Sequence, residues 1–270
     1  MKNVAIVIVT YNPNIILLEH TLSELNDYQI VISDNNSSNF EEIKKISFRY
    51  NFHLIKLSDN LGIGVAQNES IKYILSKKKA DFIFFMDQDS FILKSELITL
   101  TQDYIKLNHK YKKIAAICAT IGEIKKNQYK TIQENISSGT LIPINMFKEI
   151  GLMYDSLFID MIDYEWCWRA IKEGYFVVKD YNCIMQHQIG TQEKIFGKLM
   201  VAPFRLYYVF RNTIILLKEK RTLNQYEWKF FLVKQFIFNI LFCPDRILRF
   251  KYICRGIKDG KLSRKGKLKV

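Results

Sequence analysis

No CxxC pair occurs in this 270-residue chain: its five cysteines, Cys118, Cys167, Cys183, Cys243 and Cys254, are odd in number and far apart. That spacing argues against a disulfide framework and a cysteine zinc site, and it fits reduced thiols in a cytosolic protein. No stretch approaches the roughly 18 uncharged apolar residues of a membrane span. The longest candidate, Phe230 to Cys243, is interrupted by Lys234 and Gln235. The opening MKNVAIVIVTYNP has only a short apolar run, Val4 to Val9, and lacks the small-residue cleavage site of a secretory signal. It reads as the first strand of a buried sheet. A GxGxxG turn is missing after that strand, where TYNPN stands, which removes a nicotinamide-dependent oxidoreductase from contention. Internal repeats and low-complexity blocks are also missing. Acid is scarce: 27 Asp+Glu face 40 Lys+Arg, for a formal charge of +13. An anionic partner is therefore expected, and a phosphate-bearing substrate, an acidic membrane surface or nucleic acid would each satisfy the charge.

The chain is 49% hydrophobic and 25% charged, enough apolar material for a real core. Apolar runs at Val4–Val9, Gln29–Ser33, His53–Leu57, Phe82–Met86 and Ile114–Ala119 read as strands. Between them, Asn14–Asn26, Glu41–Tyr50 and Ile63–Lys77 carry apolar residues at helical spacing. This alternation predicts an α/β fold with a mostly parallel sheet, whose ligand crevice lies at the carboxyl ends of the strands. Further on, Ile136–Ile142 is strand-like, a helix is expected near Tyr164–Glu173, and a strand at Tyr175–Lys179. We expect an α/β domain over residues 1–200 and a helical, aromatic and basic region over 201–270, its last residues frayed.

Four places carry candidate chemistry. MDQDS at 86–90 follows an all-apolar strand, and its two carboxylates, Asp87 and Asp89, are hard oxygen donors of the kind that hold a divalent cation on phosphate oxygens. Equally, Asp89 or Ser90 could cap the next helix. IDMIDYEWCWRA at 159–170 sets Asp160, Asp163 and Glu165 beside Trp166 and Trp168. If a helix starts near Asp163, its dipole favours the carboxylate, which could act as a general base within aromatic walls. The plainer alternative is an N-cap with an Arg169–Glu165 surface pair. His187 could ligate a metal or be structural. Asp34 could accept from a pyrimidine imide or close an Asx turn.

Taken together and in this order, the motifs resemble glycosyltransferase family 2 with the GT-A fold, nearest the bacterial rhamnosyltransferases. The resemblance rests on VIVTYNP (7–13), ISDNNSS (32–38), DNLGIGVAQN (59–68), FFMDQDS (84–90), IDYEWCWR (162–169), HQIG (187–190) and RLYYVFRN (205–212). It implies that Thr10, Asn12 and Pro13 line the nucleotide end and that Asp34 holds the pyrimidine. Asn60, Gly62 and Asn68 would shape the surroundings of the ribose and diphosphate. Asp87 would approach the ribose or sugar with Gln88 alongside, and Asp89 and His187 would bind Mg2+ or Mn2+. Asp163 would be the base of an inverting displacement, with Glu165, Trp166 and Arg169 on the acceptor side. The implied donor is dTDP-L-rhamnose, with a UDP-linked sugar as the alternative, and the implied acceptor is a lipid-linked or growing bacterial surface glycan. Where the family often has VDNGS this chain has ISDNNSS; Asn36 tolerates the left-handed conformation the missing glycine would adopt.

Residues 224–242 and the basic segments at 246–255 and 261–269 fit a peripheral helix on the cytoplasmic membrane face, or helices packed on the core or on a partner subunit of a homo-oligomer. A nucleic-acid-binding metalloprotein and a silent glycan-binding module are the rival readings, and no nucleic-acid partner is expected.

Overall fold

The computed structural model describes residues 2–122, 125, 128–187, 194–195 and 197–268. In chain order the first half holds β1 (Val4–Thr10), α1 (Ile15–Glu24), β2 (Gln29–Asp34), α2 (Phe40–Arg49), β3 (His53–Lys56), α3 (Ile63–Lys77) and β4 (Phe82–Asp87). Then come β5 (Ser90–Phe91), α4 (Lys94–Tyr111), β6 (Ile114–Thr120), β7 (Tyr129–Ile132), β8 (Thr140–Pro143) and α5 (Met146–Glu149). A 3-10 turn (Asp155–Leu157) leads to α6 (Ile162–Lys172), β9 (Phe176–Ile184), β10 (Gln186–His187), β11 (Lys194–Ile195) and β12 (Lys198–Leu199). Three helices follow: α7 (Pro203–Lys218), α8 (Gln225–Leu241) and α9 (Arg246–Lys261).

The central sheet runs in the order β3-β2-β1-β4-β8-β6-β9-β7. Pairs β1–β2, β2–β3, β1–β4 and β6–β9 are parallel, while β8 is antiparallel to both β4 and β6, and β7 to β9. The central strands are apolar on both faces because each face is covered. Ala5, Val7, Ile83 and Phe85 join one core with residues of α3, α6 and α7, including Ile71, Trp166 and Ile215. Their neighbours Ile6, Ile8, Phe84 and Met86 join a second core with α1, α2 and α4. This is the two-residue period of a strand read through both layers. Each such side chain buried contributes about 1.5–3 kcal/mol. Register sets the functional edge: Thr10 pairs with Asp34, Val9 with Asp87 and Asp34 with Lys56, so the strands end side by side.

The expected strands and helices of the first 120 residues are present, as is the helix over Tyr164–Glu173, while the 136–142 strand is confined to Thr140–Pro143. The frayed tail is a correction. Helix α9 packs on α7 through Gly256 and Gly260, and buried Tyr207 donates through its hydroxyl to Asp259 at 2.9 Å. Beyond α9 the chain returns to the catalytic half: Gly266 N donates to Ser156 O at 2.7 Å and Leu268 N to the Tyr208 hydroxyl at 2.9 Å. Lys267 pairs with Asp59 at 3.3 Å. In the C-terminal helices Ile215, Leu216 and Trp228 are buried in the same cluster as Val7 and Phe85. Among the described residues no helix is long and apolar enough to cross a membrane.

The α7–α9 contact makes a prediction of sign. In an ordinary helix Gly→Ala stabilises by about 1 kcal/mol. At Gly256 a Cβ would lie 2.5 Å from the Tyr207 carbonyl oxygen and 3.1 Å from its Cα, a backbone collision. Gly256→Ala is expected to lower stability by about 1–3 kcal/mol instead, read as the shift of a denaturant midpoint at unchanged m-value.

Candidate active site

Loops at the carboxyl ends of β1, β2 and β4 and the loop leading into α3 are stitched into one wall. Thr10 donates through its hydroxyl to Asp34 Oδ1 at 2.8 Å, and Ser37 N donates to Asp34 Oδ2 at 2.8 Å. The Ser37 hydroxyl donates to the same carboxylate and accepts from Asn12 N at 2.9 Å. Asn12 takes Ser38 N at 2.8 Å, and Asn39 reaches the Pro13 carbonyl at 3.0 Å. Gln88 clasps the Tyr11 backbone on both sides, accepting from N at 2.8 Å and donating to O at 3.2 Å. Asn35 accepts from Leu61 N at 3.2 Å, and Asn60 closes on Gly62 N at 3.2 Å. Asn36 is left-handed, φ 63°, as its sequence position suggests.

Two of the candidate ligand residues make bonds within the protein. The carboxylate of Asp34 is fully buried and accepts from Thr10 and Ser37, the turn that its sequence position offered. Asn68 lies buried on α3, bonded to both backbone groups of Met153 (2.9 and 3.0 Å) and to Asp155 (3.0 Å). It fastens the helix to the segment before α6.

Carboxylates from distant parts of the chain converge beside this wall. Asp87 ends β4, its N–H donating to the Ser138 hydroxyl at 2.9 Å. Burial, and then the charge of Asp89, push its carboxyl up to about 6, against the pull of Arg205. Asp163 sits in the first turn of α6, with Oδ1 buried and without a hydrogen-bond partner. Burial pushes its carboxyl to about 7; Ser137 favours the charge, while Asp87 and Asp160 oppose it. Arg205, at the start of α7, forms an ion pair with Asp160. Burial disfavours its charge, yet Asp160, Asp87 and Asp163 outweigh burial and hold the guanidinium above its ordinary value. The backbone of His187 pairs opposite Ser90, one residue from Asp89. The side chain of His187 and the rest of HQIG (188–190) lie outside the described residues. Among the described residues no group of three or more His, Cys, Asp or Glu side chains is assembled as a metal site.

The segment entering α6 is bent by three non-glycine residues of positive φ: Phe158 (70°), Asp160 (65°) and Met161 (70°). Each such conformation costs on the order of 1–3 kcal/mol and persists only where its surroundings impose it. Here Asn212 of α7 divides its amide N–H groups among the carbonyls of Leu157 (3.1 Å), Ile159 (2.7 Å) and Asp160 (2.9 Å). Arg211 adds a bond to Leu157 O at 2.7 Å. On the other side, Ile63 N donates to Phe158 O at 2.8 Å. A Cβ at Gly62 would lie 2.4 Å from that same oxygen, and Gly62 is itself at φ 96°, so only glycine fits.

The acceptor-side expectation needs correcting. Trp166 and Trp168 are 1% and 0% exposed and belong to the core, so they wall no sugar slot. Trp166 donates to Gly151 O at 3.0 Å. Glu165, fully buried, holds Arg169 at 2.9 Å and Arg221 at 2.6 Å, and Arg169 also reaches the carbonyls of Ile150 and Leu152, both at 2.6 Å. The trio is a buried brace behind α6. Sequence reasoning missed Arg205, Arg211, Asn212, Ser137 and Ser138. The available signal was RLYYVFRN, where Arg and Asn interrupt a helix otherwise made of apolar and aromatic residues.

A sheet of this topology, with an acidic pair ending its fourth strand and a second carboxylate at a helix start in the same crevice, defines the GT-A fold of nucleotide-sugar transferases. Solved structures agree with it in shape. The chain superposes on S. aureus TarS 1-349 in complex with UDP-GlcNAc with a TM-score of 0.62 at 14% identity, covering 98% of this chain and 82% of that one. For GalNAc-T7 with UDP, GalNAc and Mn2+ the TM-score is 0.61 at 13% identity, covering 97% and 56%. The Glycosyl transferase family 2 profile matches residues 5–165. The dTDP-rhamnosyl transferase RfbF of Shigella flexneri is 35% identical over 249 residues, 81% of each chain. The chain belongs to glycosyltransferase family 2, among relatives of bacterial rhamnosyltransferases, and is a glycosyltransferase.

Asp163 carries a stability prediction independent of turnover. Its folded pKa, about 7, lies above the ordinary 3.8, so the folded state binds this proton more tightly than the unfolded chain does. Stability is then lost as pH rises from about 4 to about 7, at up to ~1.4 kcal/mol per unit, and the full cost stands above 7. With chelator present, Asp163→Asn is expected to melt close to the parent protein near pH 4 and above it at pH 8, by about 1–4 kcal/mol. Parallel melting curves across that range would remove the buried-carboxylate assignment.

Proposed function

We propose that this chain is an inverting rhamnosyltransferase, moving L-rhamnose from dTDP-L-rhamnose to a hydroxyl of a lipid-linked or growing bacterial surface glycan at the cytoplasmic face of the membrane. The observation that carries the reading is the meeting of Asp163, its carboxyl raised to about 7, with Asp87 at the end of β4. A carboxylate poised near neutrality, with one oxygen lacking any partner, is suited to take the proton of an acceptor hydroxyl. The freed oxygen then attacks the anomeric carbon from the side opposite the nucleoside diphosphate, and one displacement inverts that centre.

Thr10, Asn12, Pro13, Asn60 and Gly62 form the wall for the nucleotide and diphosphate, with Gln88 fixing the wall to the acidic loop. Asp87 approaches the ribose or the sugar. Mg2+ or Mn2+ fits this chain's donors. Asp87 and Asp89 are hard oxygen ligands, and a cation would relieve both the burial and the Asp89 repulsion that raise the Asp87 carboxyl. Asp89, with His187 on the strand opposite, would hold it. When bound, the cation supplies neutralisation of charge on the leaving diphosphate. The donor assignment is supported by the 35% identity to a dTDP-rhamnosyl transferase. A UDP-linked sugar is the second reading, favoured by the uridine nucleotides in structures of the same fold.

Initial rates with dTDP-L-rhamnose and UDP-sugars, read as release of nucleoside diphosphate, test this directly. Asp163→Asn is expected to lower kcat by about 10²–10⁴ with dTDP affinity retained. EDTA is expected to abolish turnover and Mn2+ to restore it. Near-parental kcat in Asp163→Asn would remove the base, activity in EDTA would remove the metal, and preference for a UDP-sugar would move the donor.

A further inference from the structure

Helix α8 has two faces. Its inner face packs through Trp228, Phe231, Phe236 and Asn239 against the C-terminal helices and the core. Its outer face carries Tyr226, Phe230, Val233, Ile237 and Leu241, which are 83%, 57%, 51%, 45% and 56% exposed. These positions recur every three or four residues and form one stripe along the helix. The stripe continues around the turn into α9, where Phe242, Ile247 and Leu248 are also exposed and share an open hollow of about 850 Å3 with Arg246 and Lys251. A row of large apolar side chains this long and this exposed marks a contact surface.

The charges beside the stripe select its partner. Lys234 sits over the Phe230 ring at 4.3 Å and Lys229 over Tyr226 at 5.6 Å, so each cation flanks an exposed aromatic residue. Arg246 and Lys251 border the other end; the exposed acids nearby are Glu227 and Asp245. Cations on flexible stems around an apolar band suit an interface that is apolar inside and anionic at its rim. A second copy would bring the same lysines together in a chain already at +13. We propose that the outer face of α8 and its turn into α9 dock the protein on an anionic lipid bilayer, with the stripe lying in the headgroup layer. This docking is a property of the C-terminal helices and holds whatever sugar the crevice transfers.

The test floats the full chain with vesicles of phosphatidylcholine alone and of phosphatidylcholine with about one-third phosphatidylglycerol, at low and high salt. Expected is binding to the anionic vesicles at least ~10-fold above the neutral ones and weakened by salt. Phe230→Glu/Ile237→Glu is expected to lower it a further ~10-fold. Lys229→Glu/Lys234→Glu leaves the stripe whole and is expected to lose anionic binding too. It decides the matter if the first variant does not keep the parental melting temperature. Equal flotation of the parent and the lysine variant would overturn the proposal. So would a parental dimer by light scattering that Phe230→Glu/Ile237→Glu makes monomeric while flotation is absent; the stripe would then face a second copy.

Discussion

The site depends on one hydrogen-bonded clamp. Asn212 and Arg211 hold the carbonyls of residues 157–160 in a bend that three non-glycine residues would not adopt alone. That bend aims the start of α6, and so places Asp163 against the end of β4. It also presses Phe158 onto Gly62, joining the segment before α6 to the wall beside β2. Phe158 stacks on Tyr208 of α7 with ring centroids 5.2 Å apart, which closes the third side. A helix from the C-terminal region thus sets the geometry of a carboxylate 49 residues earlier in the chain.

Electrostatic tension follows from that placement. Asp87, Asp89, Asp160 and Asp163 share a field into which Arg205 brings a positive charge. Burial and then like charge oppose ionisation and raise the carboxyls of Asp87 and Asp163. Folding tolerates it because the two apolar clusters on either face of the sheet are extensive. The pattern follows a general tendency: strained backbone and crowded carboxylates persist where the surrounding structure imposes them, and they cluster at functional sites.

What was legible in the sequence follows from the range of the interaction that decides it. β1 and β4 could be read to within a residue because their burial on both faces is written into a continuous apolar run. The acidic pair and Asp163 could be singled out because their residue types and neighbours are local. Glu165, Trp166 and Arg169 were misread, since a carboxylate beside two tryptophans looks the same in a string whether it faces solvent or Arg221, 56 residues away. Asp34 had two readings on local grounds, and the Thr10 hydroxyl, 24 residues earlier, supports the turn. Asn68 resembled a crevice residue until its partner, Met153, became visible 85 residues on.

The tail shows the same limit from the opposite side. A basic, glycine-containing ending reads as loose because glycine and lysine favour solvent and disorder when nothing contacts them. Gly256 and Gly260 instead supply the absence of a side chain that lets two helix backbones approach, and Lys267 finds Asp59 across the fold. Composition could not separate those cases, because a glycine that permits motion and one that permits contact are the same residue. In α8 the ambiguity is resolved differently. The helix is apolar on both sides, so its mean composition hides a split between a face that finishes the core and a face that finishes nothing within this chain. The first packs these helices against the sheet. The second explains why a chain with two well-filled cores still leaves a row of phenylalanine, valine, isoleucine and leucine in water.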